Sequence, residues 1–452
     1  MKKSLKRVML MVLAIVLSAC STARPTIILP TQQTVEPQLL PTSTPFPARP
    51  VYAPGTLVDY IAQSGDTLPL LAARFGASTD EIRWANPEIP DDATTMPPGF
   101  PMQIPIYYKP LWGSGYQILP DAAFVYGPDL LDFDLKAFLD STPGWFKTYE
   151  TYIQDSHRDA AEFITWICEN YSLNPKMLLA LIEYQTGALS DPNRNASAEE
   201  NFLGFINNFR GVYLQVYYVG DLLNDSYYRF RQGDLTSFDH LNGQLENIDP
   251  WQNAASAALQ YYFSRLLDGE SYLRAIGPDG YAATYKTLFG DPWRRNTTVI
   301  VGSLRQPTFI LPFRRGTTWA YTGGPHTGWG TGRPWAAIDF APPAESAGCV
   351  PTNEKAVAVA DGIVARTDAG TVILDLDGDG DERTGWSILY LHIATAGRVT
   401  VGTRLKQGDP VGYPSCEGGN ATGTHVHLAR KYNGEWISAV GVLSFDLEGG
   451  QP

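Results

Sequence analysis

Apolar and polar positions divide most of the chain into a helical region followed by a strand-rich region. Between residues 160 and 171, apolar side chains recur every three or four residues, at Ala160, Phe163, Ile164, Ile167 and Tyr171. This spacing is typical of one face of a helix. After about residue 303 the pattern changes to short apolar runs separated by Gly and Pro turns, which is typical of β structure. We therefore expect a helical region at 120–296 and a β-rich region at 303–445.

The same pattern predicts individual elements. In the helical region it predicts helices at 160–171, at 176–184 after Asn174-Pro175, and at 251–267, so we expect an all-α domain. In the β-rich region it predicts strands that form an all-β antiparallel sandwich or folded sheet, at 335–340, 356–360, 362–367, 372–376, 387–392 and 423–430.

A third, smaller unit precedes the helical region at residues 57–106. A short strand at 58–62 is followed by Asp66, which is placed to cap a helix over 68–75. Ser78 and Glu81 have capping-box spacing for a second helix. Pro87 disfavours its continuation. The segment 102–106 closes the unit as a strand, so the predicted order is βααβ.

The N-terminus is a targeting segment. Four basic residues precede an apolar run at 8–17, which is too short to span a bilayer. The run ends in Leu17-Ser18-Ala19-Cys20, which resembles a bacterial lipobox. The resemblance implies a signal peptide at 1–19, lipidation of Cys20, and an exported protein anchored to the membrane of the cell envelope. A plain secretory signal is the alternative. Residues 20–50 are rich in Pro, Thr and Ser, which is typical of an extended linker.

Charge and cysteine content limit the functional classes. The 452 residues carry a formal net charge of −13, so nucleic acid is not an expected partner. In an exported protein we expect a disulfide between Cys349 and Cys416, which both lie in loop-like sequence. Cys168 lies in an apolar helical stretch, and we expect it to be a buried thiol.

Candidate chemistry is concentrated near the C-terminus, which holds four of the six histidines. His326 is followed by Asp339, then by His392, and then by the His425-Val426-His427 pair. In a strand, a His-x-His pair projects both imidazoles from one face. One of that pair with two ligands from elsewhere would form a zinc site with an open position, as catalytic zinc sites have.

Three resemblances extend this interpretation. The βααβ unit, with Gly65-Asp66-Thr67-Leu68 and Asn86-Pro87, resembles a LysM domain, which implies binding to N-acetylglucosamine-containing glycans such as peptidoglycan. A small unit of this fold that binds nothing is the alternative.

The second resemblance is partial. Residues 172–187 resemble the lysozyme-like core of lytic transglycosylases, whose catalytic glutamate lies near the end of this helix. Gln185 occupies that position here, and it cannot supply a proton as a general acid. Glu183 lies two residues away, on a different face of the helix. We therefore expect a lysozyme-like domain that spaces or holds glycan without cleaving it.

The third resemblance covers the β-rich region, which is similar to the lysostaphin and beta-lytic family of zinc endopeptidases. It rests on the segments 337–340, 357–362, 389–392 and 423–427. Trp335 stands where the commoner members have their first ligand, so the longer spacing from His326 resembles the beta-lytic branch. The resemblance implies one zinc ion held by His326, Asp339 and His427, with His392 and His425 as catalytic histidines that do not bind the metal.

Calcium is a second candidate cofactor, which the sequence does not favour. Asp375, Asp377 and Asp379 with Gly380 match the first half of a calcium loop, but Trp386 occupies the twelfth position instead of Glu. A solvated acidic turn is the preferred interpretation.

Together these features predict an exported, lipid-anchored peptidoglycan hydrolase whose C-terminal zinc domain cuts peptide bonds in stem or cross-bridge peptides. Two alternatives stay open. One is a non-enzymatic adaptor or activator that binds peptidoglycan, and the other is a lytic transglycosylase acting through the middle domain.

Overall fold

The computed structural model describes residues 49–107, 112–154, 156–195, 199–295 and 297–448. The expected signal peptide, Cys20 and nearly all of the linker lie outside the described residues. Within those ranges, the helices are too short or too polar to cross a membrane.

The N-terminal unit consists of two antiparallel strands and two helices: β1 (Thr56–Ile61), α1 (Leu68–Phe75), α2 (Thr79–Ala85) and β2 (Pro101–Ile106). Ser78 and Glu81 form the expected capping box of α2. The cap of α1 differs from expectation, because Thr67 accepts from the Leu70 N–H in place of Asp66. The Asp66 carboxylate instead accepts from the Tyr60 hydroxyl and pairs with Arg74, so it stabilises the core of the unit.

This N-terminal unit is joined to the rest of the chain by hydrogen bonds from α1 and from its loops. The buried Arg74 guanidinium donates to the carbonyls of Pro250 and Gln252. On another side, Thr95 and Ser64 bond to the backbone of residues 300–304. The unit therefore packs against both larger regions.

The middle region is mainly helical. It contains α3 (Leu135–Ser141), α4 (Ala160–Tyr171), α5 (Pro175–Thr186), α6 (Val212–Arg231), α7 (Ala254–Ser264), α8 (Gly269–Ala275) and α9 (Tyr281–Phe289). The all-α prediction needs correction, since two short hairpins are also present: β3 (Glu150–Ile153) with β4 (Ser156–Asp159), and β5 (Ser237–Asp239) with β6 (Leu245–Asn247). Each strand has only three or four residues, too few to produce a clear alternation in the sequence.

The C-terminal region contains ten antiparallel strands among its described residues: β7 (Ala320–Thr327), β8 (Trp335–Ala341), β9 (Ala356–Val357), β10 (Gly362–Asp368), β11 (Thr371–Asp375), β12 (Trp386–Leu391), β13 (Arg404–Leu405), β14 (Pro410–Gly412), β15 (Val426–Tyr432) and β16 (Glu435–Trp436). Eight of them form one sheet, in the order β13-β10-β11-β12-β15-β8-β7 with β16 beside β15, and β14 pairs with β9.

The antiparallel prediction is confirmed, but the sandwich is not. A sandwich needs two sheets of similar size to cover each other. Here one face of the principal sheet is covered by the small β9–β14 sheet and by loops of the C-terminal region, and the other face by the helical region. In β12, Ile388 and Tyr390 point into the first core, whereas Leu389 and Leu391 join the core of the helical region. Both faces of this strand are therefore covered, and all six of its residues are buried.

Candidate metal centre

Three of the sequence-predicted site residues meet at one end of the principal sheet. His427 in β15 and Asp339 in β8 are direct cross-strand partners. His326 is in β7, where register shifts around Gly323 place its backbone opposite Ala337. Ala337 and Asp339 are two residues apart and so point to one face of the sheet. The bulged strand thus compensates for the long sequence spacing between His326 and Asp339.

Hydrogen bonds fix which imidazole nitrogens face each other. His326 Nδ1 lies 2.8 Å from the Gly324 carbonyl oxygen, and His427 Nε2 lies 3.2 Å from that of Gly328. A carbonyl only accepts, so each of these nitrogens donates its proton. The opposite nitrogens, His326 Nε2 and His427 Nδ1, are then unprotonated, and they lie 3.0 Å apart.

The third acceptor of this group is a carboxylate oxygen. Asp339 Oδ1 lies 3.3 Å from each of those two nitrogens and is buried without a hydrogen-bond partner. Three acceptors that converge without a donor repel one another unless a cation lies between them. Zinc ligands at about 2.0–2.1 Å in tetrahedral geometry stand about 3.3 Å from each other. The donor set and its spacing therefore fit a zinc ion.

Glycine at position 323 is required for this arrangement. A Cβ atom at Gly323 would lie 2.5 Å from Asp339 Oδ2, closer than carbon and oxygen can approach. Any side chain there would displace the Asp339 carboxylate. The Gly323-Gly324 sequence before His326 thus leaves room for the Asp339 carboxylate, and it also permits the bulged strand.

Burial and charge act in opposite directions on the pKa values of this group. Burial raises the pKa of Asp339, but the two histidines outweigh burial and hold it well below its usual range. Burial lowers the pKa of His427. Burial also acts to lower the pKa of His326, but the neighbouring Asp339 outweighs it and the net shift is upward. The carboxylate is therefore ionised and available as a metal ligand at neutral pH.

His392 and His425 lie next to this group. Their ring centroids are 4.5 Å apart, and His425 Nε2 lies 3.6 Å from Asp339 Oδ2. Each donates from Nδ1 to a backbone carbonyl, His392 to Glu417 and His425 to Gly423, at 2.8 Å. The Nε2 atoms are thereby left as acceptors. Burial lowers the pKa of His392 to about 4, so its imidazole is neutral at physiological pH.

One detail of the His-x-His prediction changes. β15 begins at Val426, so His425 lies just before the strand, in a bridge with Ser415. The Cys349–Cys416 disulfide lies beside this bridge and has a Cα–Cα distance of 5.8 Å. It links the loop before His425 to the loop after Ala341, while Cys168 is a buried free thiol.

The five residues open into a cleft of about 730 Å³. One side consists of the C-terminal region, including Trp329 and the loop 418–422. The opposite side belongs to the helical region, and sequence reasoning did not anticipate it. Its residues come from the β3–β4 hairpin, α4 and the start of α6: Tyr152, Ile153, Gln154, Trp166, Tyr213, Leu214 and Tyr217.

The second carboxylate cluster lies elsewhere, in the turn between β11 and β12. Asp375, Asp377 and Asp379 have oxygens within 4.8 Å of one another. Asp375 Oδ2 accepts from the N–H groups of Gly378 and Gly380, at 3.0 and 2.9 Å. The turn thus has internal donors for Asp375, which is buried and not solvated as expected, and the preference for a turn without calcium stays a prediction.

The two candidate glycosidase residues in α5, Glu183 and Gln185, make hydrogen bonds that stabilise the fold. Glu183 accepts from the Leu189 N–H at 2.8 Å, and Gln185 donates to the Tyr262 hydroxyl at 3.2 Å. Glu183 therefore stabilises the loop after the helix.

Comparison with known proteins finds a matching family model and similar proteins. Residues 117–301 match the family described as LasA, N-terminal domain. Protease LasA from Pseudomonas aeruginosa strain UCBPP-PA14 is 29% identical over 345 residues, which cover 72% of this chain and 75% of the relative. Protease LasA from strain PAO1 of the same species gives the same values.

Among solved structures, the M23 metalloprotease pseudoalterin from the deep sea is 26% identical and has a TM-score of 0.25, covering 29% of this chain and 75% of its own. The antimicrobial peptidase lysostaphin from Staphylococcus simulans is 18% identical with a TM-score of 0.21, covering 30% of this chain and 53% of its own.

Proposed function

The chain is homologous to Protease LasA and is a zinc metalloendopeptidase of the lysostaphin and beta-lytic type, and on that premise we propose that it hydrolyses peptide bonds in bacterial peptidoglycan. The observation that supports the site assignment is the convergence of three unprotonated or ionised acceptors on one point. In this proposal His326, Asp339 and His427 hold the zinc ion. Zinc, when bound, polarises the scissile carbonyl and acidifies a water molecule.

The two remaining histidines move protons. In their neutral forms, His425 and His392 each present Nε2 as an acceptor to the cleft, because their Nδ1 atoms donate to carbonyls. One of them accepts the proton of the attacking water. The other stabilises the oxyanion or delivers a proton to the leaving amine.

Digestion of purified sacculi tests this proposal. Peptidase action releases new free amines, transglycosylase action releases anhydro-sugar ends, and an adaptor releases neither. We expect free amines only. His427→Ala should lose both stoichiometric zinc and activity. His425→Ala should keep zinc and lose about 10²–10⁴-fold in turnover, the usual contribution of a positioned acid or base.

Gln185→Ala separates the peptidase from the transglycosylase alternative. It should digest sacculi at the wild-type rate, because Gln185 donates to the Tyr262 hydroxyl and cannot supply a proton as a general acid. Anhydro-sugar products that disappear in this variant would instead support the transglycosylase, and a wild-type protein that contains zinc but releases neither product would support the adaptor.

We further propose that the βααβ unit is a LysM module that binds the glycan strands. Trp84 on α2 supports this proposal, since 78% of its surface is exposed and an aromatic ring can stack on a sugar face. In a His425→Ala background, Trp84→Ala should weaken pelleting with sacculi by up to about tenfold, equivalent to roughly 1.4 kcal/mol. Trp293→Ala, another exposed tryptophan, should not. Equal pelleting of the two variants would leave the unit without a glycan-binding role.

The third proposal concerns location. Cys20 at the end of the expected signal peptide supports an exported lipoprotein. After cell fractionation, wild-type protein should accompany the membranes, and Cys20→Ala should move to the soluble exported fraction. Identical distributions would favour the plain secretory signal.

A further inference from the structure

The helical region supplies one wall of the cleft that contains the metal centre. We call this surface the helical wall and define it as Tyr152, Trp166, Tyr213, Leu214 and Tyr217. It brings four aromatic rings and one leucine to a cleft whose other side carries His326, His392, His425 and His427. A ligand bound at the metal centre therefore extends towards this wall.

Aromatic packing holds the wall in a fixed position. Tyr213 and Tyr217, on the first turns of α6, pack against each other at 6.1 Å between ring centroids, and Tyr217 packs on Tyr171 at 5.6 Å. Trp166 meets Trp329 edge to face at 6.4 Å. Since Trp329 follows the strand of His326, this contact connects the wall to the metal centre.

Other wall residues are open to solvent. Tyr152 is 57% exposed and Leu214 is 37% exposed. An exposed tyrosine and leucine beside a catalytic cleft contribute little to the folded core. They are available to a ligand.

The charge of the cleft restricts the ligand. Among the described residues that line it, none is Lys or Arg, and Asp339 is the single carboxylate. With Asp339 assigned to the metal, no carboxylate, Lys or Arg among these residues remains to pair with a charged group of a ligand. A neutral sugar ring has an apolar face for stacking and hydroxyls for the tyrosine O–H groups.

We propose that the helical wall is a subsite for a neutral, N-acetylated amino sugar of the glycan strand that carries the peptide being cut. This inference rests on the proposed function and deepens it. The enzyme then recognises the peptide together with its glycan, and the helical region contributes to substrate specificity.

Two matched substrates test the subsite in the full-length protein. One is a cross-linked peptide that still carries its disaccharides, and the other is the same peptide after removal of the sugars with an amidase. The double variant Tyr152→Ala/Leu214→Ala should lower the ratio of kcat/KM for the glycosylated peptide to kcat/KM for the free peptide about fivefold to tenfold. Leu273→Ala on α8, a leucine 41% exposed, should not change the ratio.

Equal losses on both substrates would show that the wall contacts the peptide, and a gain on both would show that it obstructs the cleft; either result overturns the subsite. Calorimetric titration of the His425→Ala variant with each substrate provides a readout independent of cleavage. If the wild type cuts neither substrate, the proposed function fails. The subsite is still supported if the His425→Ala protein binds the glycosylated peptide more tightly than the free peptide and the wall substitutions remove this difference. If the His425→Ala protein binds both peptides equally, the subsite is overturned.

Discussion

At the scale of single residues, His392 combines strain with function. It follows β12 and has a φ of +66°, a left-handed conformation that costs an ordinary residue roughly 1–2 kcal/mol. Asparagine tolerates this conformation better. His392→Asn should therefore lose about 10²–10⁴-fold in kcat while its unfolding free energy stays within about 1 kcal/mol of wild type, because relief of strain offsets lost packing. Urea unfolding beside a sacculus assay measures both; a variant that loses activity by unfolding would contradict this.

The pH dependence of stability reports on the same side chain. Burial holds the pKa of folded His392 at about 4, below the ordinary value of 6.5. As pH falls from 6.5 to 4, the unfolded chain takes up a proton that the folded protein resists, so stability falls across this window. His392→Asn lacks this contribution. In metal-free protein, its melting temperature should decline less between pH 6.5 and 4 than that of wild type; parallel declines would mean that His392 titrates normally.

At the scale of elements, the acidic turn between β11 and β12 differs from a calcium loop in how its charges are satisfied. Asp375 is fully buried and accepts two backbone N–H groups, and burial raises its pKa to about 6. A carboxylate with internal donors gains little from an added cation. Adding Ca²⁺ to chelated protein should leave the melting temperature unchanged, and an upward shift that Asp377→Asn removes would identify a calcium site instead.

A buried charge cluster joins the same turn to the helical region. Glu382 pairs with Arg366 of β10 and Lys431 of β15, and Arg366 also lies 3.5 Å from Glu169 of α4. Glu382→Gln removes the negative charge that pairs with the two buried cations, so we expect a loss of about 3 kcal/mol in unfolding free energy. Glu448→Gln, which removes the exposed partner of Arg315, serves as the control with little change expected. Similar losses in the two variants would contradict the argument.

How much could be predicted from sequence depends on the range of the interaction. Local signals found α4 to the residue and the Ser78–Glu81 capping box, because helix caps and apolar spacing are set within a few positions. The 20-residue α6 was missed although Val212, Val216, Val219 and Leu223 form a helical stripe that is buried. Its many tyrosine and polar positions obscured that stripe.

The candidate residues of the metal centre could be identified in the sequence from motif resemblance and from the chemistry of their side chains. The bulged pairing that brings His326 to Asp339 follows from tertiary contacts, as does the helical wall opposite it. No spacing rule within the C-terminal region could have placed Tyr213 or Tyr217 in the same cleft as His427, because the second half of the helical region and most of the C-terminal region separate them in sequence.

At the scale of the whole molecule, the helical and C-terminal regions share one hydrophobic core. Ala337, Ile373, Leu389, Ala429 and Trp436 belong to the sheet but pack among the side chains of the helical region. The Trp436 N–H donates to the Tyr228 hydroxyl across the same boundary. The sheet face that carries the metal centre is thus completed by residues of the helical region.

Separating the regions should expose that face. A fragment of residues 303–448 should melt at a lower temperature than the full chain and self-associate at micromolar concentration, because its apolar sheet face and the buried Lys431 and Glu435 lose their cover. Light scattering after size-exclusion chromatography and thermal unfolding measure the two effects. Ala429→Glu in the fragment, which adds a charge to the exposed apolar face, should reduce the association. A fragment that is monomeric and melts at the same temperature as the full chain would show that the helical region contributes the cleft wall but does not stabilise the sheet.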